Sequence, residues 1–254
     1  LFSIDKSTIL TATSLEAWVE CPYAYFMRHI LAVGTVEDPA DEDGMTSLVR
    51  GSLMHRILDR FLNESINAND LPYPEVPWSP IHHQRMDQIC EEEFTLVESR
   101  GLTGRTLLWQ RESNQLRQAL SKFLLDDDKR RKDNMLTPVA SEIPFGLEGV
   151  KPLILHLSNE RSLRFRGRID RVDRDTDGSL FVTDFKTGKR RDSSKISENS
   201  PTLNGRYLQL PLYGLAAREL LGTPNTHLET QYWFLLDGGT SVGHLISDLV
   251  LKQY

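Results

Sequence analysis

Residues 180–189, LFVTDFKTGK, read as a buried strand, because Leu180, Phe181, Val182, Thr183 and Phe185 are the β-branched, aromatic and aliphatic types that pack on a pleated surface. The same stretch carries Asp184 and Lys186. Residues two apart in a strand share a face, so this carboxylate and ammonium point together to the side that Val182 faces, and Phe185 points to the other. A charged pair at the end of an apolar strand is either an ordinary cross-strand ion pair at a sheet edge or the beginning of a chemical site.

The preceding strand ends at Arg174, and Asp175-Thr176-Asp177-Gly178 is a hairpin turn signal. Counting outward from the turn sets Asp170 opposite Thr183 or Asp184. The two aspartates share a face only if the loop closes with an odd count, for example through a bulge at Gly178. With that register, Asp170, Asp184 and Lys186 converge on one patch. Two ionised carboxylates a few ångströms apart repel unless a cation lies between them. Hard oxygen ligands of this kind suit Mg2+ or Mn2+, and a neighbouring lysine can offset charge developing on a phosphate.

Around this hairpin the hydrophobic period changes. The first half is helical: TSLEAWVE opens with Thr13 and carries Glu16 three places on, a capping-box pattern, and Pro22 suits the first turn of a following helix. In RGSLMHRILDRFLNE, Leu53, Met54, Ile57, Leu58, Phe61 and Leu62 recur at helical spacing, with His55 at the border of the apolar stripe. An acidic loop (34–44) precedes that helix, and a proline-rich loop (70–80) follows it. Further helices are expected near 82–99 and 107–126, with the mixed-sign run 126–133 as a solvated helix end. Four stretches of the second half, ASEIPFGL, LILHLS, LRFRGRIDRVDR and SLFVTDFKTGK, read as strands. After a polar loop (189–205) come a helix ended by Gly222 and a strand over 230–236. The expectation is one domain over residues 1–254, with a mainly helical cap to residue 140 and a mixed sheet from 141.

A chain of 254 residues can bury a sizeable core, and its net charge of −6 leaves room only for local basic grooves, such as 161–171 and 186–191. No apolar run is long enough to span a bilayer, and no signal-peptide pattern opens the chain. Two cysteines, Cys21 and Cys90, are too few for a disulfide framework, which points to a reducing, cytoplasmic setting. The start at Leu1 and the apolar end suggest a fragment of a longer chain. No phosphate-binding GxxxxGK[ST] loop is present, so no ATPase is expected within it.

Taken in order, GSLMH with His55, GRIDRVD with Asp170, DFKTGK with Asp184 and Lys186, and YLQLPLYG with Gln209 and Tyr213 resemble the PD-(D/E)xK nuclease superfamily, in particular its RecB-like branch. SLEAWVECPYAYFMRHIL is similar to that branch's N-terminal helix. The resemblance implies a restriction-endonuclease-like α/β fold: a mixed central sheet flanked by helices, with an N-terminal helical cap. It implies His55, Asp170 and Asp184 as ligands of Mg2+ or Mn2+ and Lys186 at the attacking water, with Gln209 and Tyr213 bordering the site and positioning DNA. Glu142 matches an acidic position that assists the site at second rank. Arg168 and Arg171 could contact phosphate or pair with nearby acids, and Tyr207 and Tyr213 could stack exposed bases. Without the resemblance, His55 would read as a half-buried core histidine and Gln209 and Tyr213 as a polar rim.

Some members of the branch hold an iron–sulfur cluster whose first cysteine matches Cys21. The other three have no match here, and one thiolate cannot hold a four-ligand cluster, so none is expected in this chain. Cys21 is then a remnant, a small buried hydrophobe, or one of four ligands whose partners lie past Tyr254. The expected function is a metal-dependent deoxyribonuclease, exonucleolytic on single-stranded DNA, acting in end processing, recombination or repair beside a helicase domain or partner subunit. The alternative is an inactive nuclease fold that binds DNA or serves as a scaffold.

Overall fold

The computed structural model describes residues 8–33, 44–157, 161–189, 196, 200, 202–237 and 241–244. In chain order the elements are β1 (Ile9–Leu10), α1 (Ala12–Glu20), α2 (Pro22–Tyr25), α3 (Ser47–Asn67), α4 (Pro80–Ser99), α5 (Thr106–Asn134), β2 (Thr137–Phe145), β3 (Leu153–His156), β4 (Ser162–Phe165), β5 (Gly167–Arg174), β6 (Leu180–Lys186), α6 (Gln209–Leu221), β7 (Leu228–Phe234) and β8 (Ser241–His244). A π-helical turn, Phe26–Ile30, continues α2. The acidic loop, most of the polar loop after Lys189, Arg190, Arg191 and the C-terminal stretch lie outside the described residues.

The central sheet runs β2-β5-β6-β7-β8; the β6–β7 pair is parallel and the other pairs are antiparallel. Its two faces are both covered, so β6 is apolar on both sides. On one face, Phe185 and Trp233 join a cluster with the apolar stripe of α3 (Leu53, Met54, Ile57, Leu58, Phe61 and Leu62) and with residues of α4 and α5. On the other, Val172, Val182 and Leu228 meet Leu212, Ala216 and Ala217 of α6. That helix lies so close that a Cβ at Gly214 would stand 2.7 Å from Leu228 Cδ2 and 2.8 Å from Thr230 Cγ2. Any larger residue there requires these side chains or the helix itself to shift.

The mixed α/β architecture with helices on both faces matches the sequence expectation, with several corrections. A second, three-stranded sheet, β1-β4-β3, was not expected. The stretch 163–174 is two strands, since β4 and β5 belong to different sheets and part at Arg166, whose N–H bonds Leu10 O. Pro80 opens α4 at its first turn and is not part of the loop. The N-cap of α1 is Thr11, boxed with Ser14, which leaves Glu16 for another task.

The largest correction concerns residues 126–133. They continue α5, and their inward face is sealed: Asp127 and Arg131 are fully buried, as are Arg171 and Asp173 of β5. Asp127 receives Trp78 Nε1 at 2.9 Å and pairs with Arg171 at 2.8 Å and Arg131 at 3.2 Å. Asp173 takes Arg171 at 2.7 Å and Arg130 at 2.8 Å. Arg171 is thus enclosed and paired, which removes it as a phosphate contact. Burial pushes the Asp173 carboxyl up, but Arg171 and Arg130 outweigh this and hold it below its usual range.

Two outcomes follow from this network. D127A leaves two buried guanidinium groups short of a partner and lowers stability by about 3–5 kcal/mol in urea unfolding. The depressed Asp173 contributes stability that is present above its unfolded pKa of about 4 and is lost as pH falls through the lower folded value. Removing the charge with D173N should therefore narrow the difference in melting temperature between pH 7 and pH 3.

Candidate active site

The hairpin between β5 and β6 closes with an odd count. Arg174 pairs with Leu180, and Asp175 N–H bonds Ser179 O at 3.2 Å. Gly178 has φ +86, and Asp175 Oδ1 accepts from the amides of Asp177 and Ser179. The regular ladder ends at Arg171–Thr183, and one step further in this register Asp170 faces Asp184. Beyond that point the strands part. Phe185 N–H turns to the Asp170 side chain, donating to Oδ2 at 2.6 Å.

On the other flank of Asp170, β2 shifts register between Pro138 and Ala140. Ser141 then pairs with Arg171 and Ile143 with Ile169, which sets Glu142 across from Asp170. Glu142 has φ +49, a left-handed conformation that costs a non-glycine residue about 1–3 kcal/mol and is met most often at functional sites. Three neighbouring strands therefore carry a row of carboxylates: Glu142, Asp170 and Asp184.

His55 enters from α3, half-buried at the border of its apolar stripe. Its Nε2 donates to Phe185 O at 3.1 Å, which fixes the ring and leaves Nδ1 facing Asp170 Oδ1 at 3.4 Å and Glu142 Oε1 at 3.6 Å. One ligand atom from each of His55, Glu142 and Asp170 lies within 4.8 Å of the others. A histidine nitrogen oriented by a backbone carbonyl on its far side, facing two carboxylates, can hold a divalent cation. The electrostatics of the pocket agree. Burial would lower the His55 pKa, but hydrogen bonds to Asp170 and Glu142 and the charge of Asp184 raise it to about 10. Burial first, and then Asp184, push Asp170 up to about 6, against the pull of His55. The pocket carries excess negative charge and collects protons where a cation would neutralise it.

Asp184 lies beside this trio and pairs with Lys186 Nζ at 2.5 Å. The same ammonium donates to Gln209 Oε1 at 2.6 Å and stands 5.0 Å from the Tyr232 ring centroid. Burial opposes its charge, yet Asp184, with Asp170 and Glu16 further off, raises the Lys186 pKa above its ordinary value. Tyr213, one turn along α6 from Gln209, packs edge-on to Phe145, with ring centroids 5.8 Å apart. Its hydroxyl pKa is raised by burial first and then by Asp184 and Asp170.

Arg168 donates to Glu142 O at 3.2 Å and pairs with the Glu142 and Glu148 carboxylates, so its guanidinium steadies the strained Glu142. Tyr207 packs against Tyr232 at 6.3 Å between centroids. Cys21 is exposed and caps α2, its sulfur accepting from Ala24 N–H at 3.4 Å, which corrects the reading of it as a buried hydrophobe. Cys90 is the buried one, and desolvation pushes its thiol up to about 12. Two further acidic residues interact with neighbours of this site, and the sequence motifs did not single them out for it. Asp59 follows His55 by one helical turn; burial raises its pKa, Ser141 pulls it back in part, and Glu142 adds to the rise. Glu16 reaches the start of α6. The spacing of His55 and Asp59 on one helix face could have signalled the first; nothing local signals the second.

Among the described residues, no helix is long and apolar enough to cross a membrane. Proteins named as a subunit of an ATP-dependent helicase/deoxyribonuclease are similar to this chain. That of Alkaliphilus metalliredigens is 26% identical over 217 residues, covering 82% of this chain and 18% of the relative. That of Clostridioides difficile is 27% identical over 218 residues, covering 83% and 18%. That of Caldanaerobacter subterraneus is 28% identical over 212 residues, covering 80% and 17%. The chain thus spans less than a fifth of the length of these curated relatives. The family model of the PD-(D/E)XK nuclease superfamily matches residues 9–252 and takes in each of these side chains. With the carboxylate row and the Asp-x-Lys strand inside that match, the chain belongs to the PD-(D/E)XK nuclease superfamily.

Proposed function

We propose that this chain is a Mg2+- or Mn2+-dependent deoxyribonuclease domain that degrades single-stranded DNA from its ends. The observation that carries the reading is Asp170, flanked by His55 and Glu142 at metal-ligand spacing and by Asp184 with its paired Lys186. His55, Asp170 and Asp184 hold the ion, and Glu142, expected only as a helper, joins them as a ligand. When bound, the ion supplies Lewis acidity to the scissile phosphodiester. Lys186, kept protonated and fixed by Asp184 and Gln209, stabilises the charge that develops on the phosphate oxygens. Gln209 and Tyr213 border the strand being cut. Arg168 reaches the DNA backbone only by leaving its acid partners.

The names of the relatives support DNA as substrate and a helicase as companion. The setting we propose is recombination or repair in the cytoplasm, with the helicase in the same chain or on a partner protein. Residues 1–254 then form one nuclease domain, mainly helical as far as α5 and built on the central sheet from β2 (Thr137–Phe145) onward. The region around Cys21 holds no iron–sulfur cluster with these residues alone.

Digestion of 5′- and 3′-labelled single-stranded DNA with Mn2+, Mg2+ or EDTA tests this reading. Cleavage should need the metal and fall about 10²–10³-fold in K186A. A wild type that binds DNA but never cuts, even with Mn2+, would leave the inactive-module reading in its place. Mn2+ should raise the melting temperature of the wild type, and this rise should vanish in D170N and shrink in H55A, E142Q and D184N.

The raised His55 pKa has a definite sign. Its protonated form contributes stability that is fully present below pH 6.5 and lost as pH rises through about 10. A divalent cation competes with that proton. Mn2+ affinity should therefore climb as pH rises through this window, and titration calorimetry at pH 7 in two buffers should detect proton release that H55A reduces, the remainder coming from Asp170.

A further inference from the structure

Glu16 stands apart from the acids already described. It lies on α1, yet its Oε1 accepts the backbone N–H of Leu208 at 2.5 Å and of Gln209 at 3.1 Å, about 190 residues away in sequence. These amides open α6. The N-cap residue of that helix, Leu208, has no side chain able to accept a hydrogen bond, so the donors would otherwise lack a partner. Gln209, whose backbone Glu16 fixes, uses its own side chain to hold Lys186 Nζ at 2.6 Å. Glu16, Gln209 and Lys186 also line one small cavity of about 190 Å3, together with Tyr207, Tyr232 and Phe234.

We propose that Glu16 is a positioning residue for the nuclease reaction: by clamping the first amides of α6 it sets the Gln209 side chain and, through it, the place of the Lys186 ammonium. The inference rests on the nuclease reading of Lys186. Among the described residues, Lys186 has two polar holds, Asp184 and Gln209. The first belongs to its own strand and moves with it. The second is carried by a helix whose start is anchored from outside by Glu16. Without that anchor, Gln209 can shift along the sheet, and the ammonium follows Asp184 alone. The burial of Glu16 argues the same way. Desolvation raises its pKa, and the two amide hydrogen bonds, followed by the charge of Lys186, offset part of that rise. The carboxylate is held where solvation alone would not leave it.

Two variants separate reach from charge. E16Q keeps an oxygen at the same distance from both amides and loses the charge, whereas E16D keeps the charge and withdraws it by one methylene. For positioning, E16Q should retain kcat to within about threefold, and E16D should lose about 10- to 100-fold in kcat with KM for DNA little changed. In a Q209A background, E16D should have no further effect. A purely electrostatic role predicts the reverse order of the two variants and overturns the proposal. A purely structural role predicts lower melting temperatures with full kcat per folded molecule and overturns it equally. A wild type that cuts no DNA overturns the nuclease reading and Glu16's part with it. A wild type that cuts while E16D matches it overturns only the role of Glu16.

Discussion

The site depends on one register, that of the β5–β6 hairpin. Side chains alternate across a sheet with a period of two, so a loop shorter or longer by one residue would turn Asp170 away from Asp184 and into the α3 cluster. The five residues 175–179 prevent this: Gly178 takes the left-handed turn, and the Asp175 side chain ties the loop to its own amides. A second shift, between Pro138 and Ala140 in β2, brings Glu142 to the other side of Asp170. Two local irregularities thus align three carboxylates that regular pairing would scatter.

Where the strands part, the backbone of Phe185 serves the site twice. Its N–H is taken by Asp170 and its carbonyl by His55, while its side chain is buried against Phe123 and Trp233. The placement of Asp170 and His55 is therefore tied to the packing of the helical face. Charges are arranged by the same logic on both sides of the sheet. Below, Arg171, Arg130 and Arg131 balance Asp127, Asp128 and Asp173 one for one, and that network is largely buried. Above, three carboxylates face Lys186 and a histidine that charges only by taking a proton, and the negative charge left over is of the kind a divalent cation would neutralise.

Much of the scaffold was legible in the sequence. The apolar positions of α3 recur at helical spacing, and all six of the expected ones are buried. The Asp-Thr-Asp-Gly turn announces its own geometry, so the shared face of Asp170 and Asp184 could be anticipated as conditional on a bulge. The run 126–133 could not be read this way, because alternating charges look alike whether they meet water or each other. Arg171 was ambiguous for the same reason, and only its burial with Asp127 of α5 and Asp173 of its own strand decides that it faces the interior. Glu16 fits a local capping pattern in the sequence, whereas its actual partners lie across the molecule.

The sequence by itself determined most of the helices and central strands, the apolar face of α3, and that an aspartate and a lysine share the end of a strand. These properties depend on near neighbours and on periodicity. The tertiary structure decided which carboxylates meet: that Glu142 joins His55 and Asp170 at ligand spacing, that Asp184 pairs with Lys186, and that Glu16 anchors the helix holding Gln209. Those contacts join residues far apart in the chain, and their distances are set by bulges, helix approach and desolvation, which no short window of sequence contains.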